Sequence, residues 1–171
     1  MTLAVMILAI GIGLVLEQVF PSSALVGFAR PPVLACVVAY YAMKHSMPLM
    51  LFAALLGGIL SDGVTALPLG VTSPALAAVG IVLRHYRDTV FSGKLVTNVV
   101  FGGAIGISAP LLIFILLLFF GQTSPGLRPQ LYLFKFASTA VYGAVFFPAV
   151  YFLLERLESL SGADMAESVR E

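Results

Sequence analysis

The run from Leu95 to Leu127 contains no Asp, Glu, Lys or Arg, and its apolar body can cross the roughly 30 Å hydrocarbon core of a bilayer with residues to spare. A chain built around such a run dissolves in lipid. Further apolar runs occupy Met1 to Leu16, His45 to Ser61, Gly63 to Leu83 and Phe136 to Leu154, so little length is left for a soluble domain. Only 10% of the residues are charged, where soluble domains carry roughly a quarter. The expected fold is all-α: a polytopic membrane protein of about six transmembrane helices, with short or kinked second and third segments. One helical domain covers residues 1–160, and residues 161–171, with four charges, form a flexible cytoplasmic tail.

The breakers divide the chain. A first span runs from about Thr2 to Val19; no Lys or Arg precedes it, and Glu17-Gln18 follows where a signal peptide would have small residues, so it stays attached. Pro21 and then Arg30-Pro31-Pro32 interrupt helix. Val33 to Met43 is too short to cross alone. Either it gains turns from Ser23 to Ala29 across a kink, or it is a half-span held by neighbouring helices. A third span, also short, ends at Ser61. A tight connection from Asp62 to Gly70 leads to a fourth span ending near Leu83, with Pro74 in its first turns. A fifth runs from Leu95 to Phe120 with a kink expected at Pro110. A sixth starts near Pro129, passes Lys135 to Leu154, and extends as an amphipathic surface helix through Leu157 and Leu160.

Six spans with both termini in the cytoplasm put Lys44, Arg84, Arg87, Lys94, Arg156 and Arg170 inside and Arg30, Arg128 and Lys135 outside. That excess of inner positive charge sets the orientation.

Chemistry-bearing patterns are sparse. The net charge of +1 gives no clustered basic excess for nucleic acid. Cys36, the single cysteine, permits no internal disulfide and reads as a small buried residue. His45 and His85 lie beside Lys or Arg in cytoplasmic turns, as solvated interface histidines. No Ser-His-Asp set, no phosphate-binding Gly-Lys-Ser/Thr loop and no paired aspartates are present, so neither catalysis nor a cofactor or metal is expected. Asp62 leaves two readings open. It begins an ordinary Asp-Gly turn at the interface, or it lies deep and pairs with Arg30, which the topology puts, like Glu17, on the same outer side.

Small residues recur at helical spacing: Ala53, Gly57 and Ser61, then Ala54 and Gly58, and further on Gly102 with Gly106. Such faces let backbones approach closely in lipid, with packing inside the chain as the default and a partner helix as the alternative. The aromatic residues Tyr132, Phe134, Phe136, Tyr142, Phe146, Phe147, Tyr151 and Phe152 read as lipid-facing and interfacial anchors.

One stretch carries a family likeness. Arg30-Pro31 precedes a short apolar helix ending in Tyr40-Tyr41-Ala42-Met43-Lys44; then comes Gly57-Gly58-Ile59-Leu60-Ser61-Asp62, then Pro68-Leu69-Gly70. In order and spacing this resembles MreD, the rod shape-determining membrane protein of bacteria. The likeness is best from Arg30 to Arg87. It departs at Pro32, where the family often has an acidic residue, at Ala66-Leu67, where Gly or Ser is common, and at Thr72, where Asn or His is frequent. The resemblance implies a non-enzymatic scaffold of the inner membrane. It would hold MreC and help couple the actin-like MreB to the wall-synthesising glycosyltransferase and transpeptidase, with Arg84 and Arg87 meeting acidic lipid or protein. The family is also similar in outline to the substrate-binding membrane subunits of vitamin uptake transporters, which makes transport the competing class. A transport subunit would line a pocket with its short, Pro-interrupted second and third segments. No cluster of convergent polar side chains is apparent along the chain, which favours the scaffold. A small channel would need a ring of charges that is equally lacking.

Overall fold

The computed structural model describes residues 2–20, 30–65, 70–86, 95–119 and 129–161. They form six helices: α1 (Thr2–Val19), α2 (Val33–Lys44), α3 (Met47–Thr65), α4 (Thr72–His85), α5 (Leu95–Phe119) and α6 (Pro129–Ser161). Among the described residues there is no strand. Three helices hold windows long and apolar enough to cross a membrane, at Met47–Thr65, Asn98–Phe119 and Phe134–Ser159. The fold is all-α and consistent with a polytopic membrane protein. The tail beyond Ser161 lies outside the described residues, as do Pro68, Leu69 and Arg87.

The second segment is helical from Val33 to Lys44; Ser23 to Ala29, from which it would gain turns, lie outside the described residues. At 12 residues, α2 is about 18 Å long. Its sequence is apolar on every side, so every side must be covered. Val33 through Met43 are all buried, and each of the other five helices touches α2. This short helix is the axis of the molecule. Cys36, fully buried on it, is a packing residue.

The third segment corrects the expectation of a short span. It has 19 residues and continues past Ser61 and Asp62 to Thr65, because Asp62 and Gly63 sit inside the helix rather than opening a turn. The fourth segment, α4, has 14 residues, short of the span expected for it. Pro110 and Pro148 both lie within continuous helices.

Small residues close the helix contacts. Ala53, Ala54, Gly57, Gly58 and Ser61 are buried on α3. A Cβ on Gly102 would come within 2.7 Å of the Phe147 Cβ, and one on Gly106 within 2.9 Å of the Ala140 Cα, so α5 and α6 meet backbone to backbone. These faces are occupied within the chain. The outer surface is apolar, with Phe52, Leu55 and Ile59 on α3 and Val141, Val145 and Phe152 on α6 all exposed, as a lipid-facing shell requires. Phe147 departs from the anchoring role expected of the aromatic run: it is fully buried between α5 and the core. Phe134 and Phe152 are exposed.

Candidate functional site

Polar side chains gather at the two ends of the helix cluster. Lys135 and Glu158 mark these ends and stand about 35 Å apart along α6 at 1.5 Å per residue, close to the thickness of a hydrocarbon core.

At the end marked by Lys135, two buried helix starts need partners, since the first amides of a helix have no acceptor within it. Each is met in the same way. At α2, Pro32 brings no N–H, the Val33 amide donates to the Pro31 carbonyl at 2.9 Å, and the Leu34 amide donates to Glu17 Oε1 of α1 at 2.9 Å. At α4, Pro74 in the first turn again brings no N–H. The Gly70 amide donates to Asp62 Oδ2 at 2.7 Å, the Thr72 amide reaches both carboxylate oxygens at 3.2 and 3.3 Å, and the Thr72 hydroxyl donates to Oδ1. Each carboxylate comes from the preceding helix and sits where the helix dipole favours negative charge.

The Arg30–Asp62 pair is therefore not formed, and the interface turn is not the answer either. Asp62 is fully buried, with its oxygens occupied by the start of α4. Arg30 instead donates from Nη1 to Gln18 Oε1 at 3.2 Å. The α3–α4 joint unites three of the positions singled out in the sequence. Gly58 lets Ser73 approach so closely that a Cβ would collide with its backbone. Asp62 ties the turn, and Gly70 has φ of 95°, a left-handed conformation that suits glycine. Gly57 faces Leu34 and Ile10 at ordinary contact distance.

Between these helix starts lies a cavity of about 400 Å³, lined by Glu17, Arg30, Pro31, Pro32, Ser61, Thr65, Thr72, Lys135 and Thr139 together with apolar residues of α2, α4 and α5. This is the convergent polar cluster that the linear sequence does not display. Its members come from separate elements, and spacing could have paired only Lys135 with Thr139 on α6 and Ser61 with Thr65 on α3, each one helical turn apart.

At the other end, Glu158 of α6 is buried and accepts from the Tyr40 hydroxyl at 2.7 Å. His45 Nε2 lies 2.9 Å from Glu158 Oε1, and Lys44 pairs with Glu155 at 2.8 Å. Arg84 donates to the His45 carbonyl at 2.6 Å, closing the C-terminal end of α2 where cations are favoured. His45 is thus a buried residue rather than a solvated one, while His85 is exposed as expected. The tail of α6 exposes Arg156 and Ser159 on one side and packs Leu157 against the core on the other, with Glu158 turned inward beside Leu154. The sequence signal was Glu155 and Glu158, three residues apart on one face opposite Tyr40 and Lys44, four apart on theirs.

These contacts separate two substitutions. Glu158→Ala removes the acceptor of a buried phenol and the partner of a buried imidazole, and should cost about 3 kcal/mol. Glu155→Ala breaks a half-exposed pair and should change stability by less than about 1 kcal/mol. Thermal unfolding of the detergent-purified protein checks the contrast; equal effects would show that the Glu158 cluster is not buried as described.

Comparison with family models, curated proteins and solved structures finds no match to this chain.

Proposed function

We propose that this chain is a non-enzymatic subunit of the bacterial cell-elongation machinery, embedded in the cytoplasmic membrane with both termini inside. In this reading it holds MreC and helps couple MreB filaments to the glycosyltransferase and transpeptidase that build peptidoglycan. The observation that carries the reading is the α3–α4 joint. The residues on which the likeness to MreD rests, Gly58, Asp62 and Gly70, come together in one tightly bonded corner. A motif used this way maintains a shape instead of transforming a substrate. Thr72, which departs from the frequent Asn or His, still donates to Asp62 through its hydroxyl, as either of those side chains could.

Depletion in a rod-shaped host tests the proposal. Rods becoming round, together with MreC co-purifying from detergent with this chain, is the expected result. Normal shape with a new nutrient requirement would instead support a second reading, the substrate-binding subunit of a vitamin-type uptake transporter. The cavity between the starts of α2 and α4 favours that alternative, since interrupted helices often line transporter sites.

A further inference from the structure

We propose that the cavity at the α2 and α4 helix starts binds an anionic phosphate-type group, with Arg30 and Lys135 as its two cationic contacts. The inference does not depend on whether the chain is a scaffold or a transport subunit.

Its volume of about 400 Å³ falls within the range of small-ligand sites. Arg30 and Lys135 both line it and are close enough to repel each other. Among the described residues neither is within salt-bridge distance of a carboxylate; Arg30 donates to the neutral Gln18. Glu17, the carboxylate in the lining, attracts Arg30 at longer range. One of its oxygens is held by the Leu34 amide, and the Asp62 carboxylate behind Thr72 is taken by the start of α4.

An anion entering the cavity therefore meets two cations at once, neither of them engaged by a carboxylate at salt-bridge distance. The hydroxyls of Thr72 and Thr139 already donate to Asp62 and to the Lys135 carbonyl, which leaves Ser61 as the hydroxyl in the lining that can donate to an oxyanion. An arginine fork and a lysine point charge suit a tetrahedral oxyanion. The wall between them is apolar, formed by Leu76, Ala109 and Ile113, so it can also accept the first part of an acyl or prenyl chain.

A phosphate group can arrive on a lipid or free in solution, and two arms separate the sources. In the first, the full chain is purified in a neutral detergent, and native mass spectrometry compares phosphatidylglycerol with phosphatidylcholine of the same acyl chains. In the second, equilibrium dialysis measures radiolabelled inorganic phosphate. The expected result is one retained phosphatidylglycerol or one bound phosphate per chain, weakened at least about tenfold in R30Q/K135Q and restored in R30K/K135R. Retention of the lipid alone assigns a head-group site; binding of phosphate alone assigns a soluble oxyanion. Should the double variant fail to purify as a monodisperse species, K135Q alone must weaken binding by at least about threefold. The proposal is overturned if neither probe binds, if phosphatidylcholine is held equally well, or if the charge-removing variants bind like the parent.

Discussion

Replacing Asp62 with alanine should lower the thermal unfolding midpoint of the detergent-purified protein by about 8 °C, the equivalent of about 3 kcal/mol for a domain of this size. The carboxylate is fully buried and accepts from two backbone amides and one hydroxyl. Alanine leaves the Gly70 and Thr72 amides facing a side chain that cannot accept, at a helix start where water is scarce. Intermediate variants divide the loss. Asp62→Asn keeps one accepting oxygen but turns an NH₂ toward amide donors, and should cost about half as much. Thr72→Val removes the hydroxyl but leaves both amides bonded, and should cost about 1 kcal/mol. Arg30→Ala should leave the midpoint within about 2 °C, because its side chain is exposed and bonds the exposed Gln18. If Arg30→Ala and Asp62→Ala proved equally damaging, the pair rejected above would be restored.

The second large effect is expected where α5 crosses α6. Gly106→Ala should destabilise by about 2 to 3 kcal/mol, even though alanine is the better helix former, because the added methyl meets the backbone of Thr139 and Ala140, which cannot move aside without parting the helices. Gly102→Ala should act alike against Gly143 and Phe147. Gly11 is also mid-helix, but nothing lies within 4 Å of its Cβ position, so Gly11→Ala should be neutral or stabilise by up to about 1 kcal/mol. Opposite signs for one chemical change in two helices isolate packing from propensity. Thermal unfolding in detergent measures both, and a stabilising Gly106→Ala would show that α5 and α6 do not close as described.

Some of the architecture was already legible along the chain. The bounds of α1 coincide with the first span expected from Thr2 to Val19, and Val33 to Met43 is apolar on all sides, so its burial could be anticipated. Other readings failed for one shared reason. The sequence leaves Asp62 between an interface turn and a pair with Arg30, yet its backbone partners are amides only eight and ten residues away. His45 reads from the sequence as a solvated interface residue, yet α2 and α6 bring it to Glu158 and bury both. Phe147 was assigned to lipid with its aromatic neighbours, yet the absence of side chains at Gly102 opens the contact that covers it.

What the sequence by itself determined was the solvent and the secondary structure. Hydropathy and breaker positions are local quantities, and a bilayer reads them directly through length and through its intolerance of unbonded backbone. Only the tertiary structure decided which carboxylate closes which helix start, and that Arg30 and Lys135 face one cavity. Those outcomes depend on which helix ends meet, and the glycine contacts between helices that bring them together act across parts of the chain far apart in sequence.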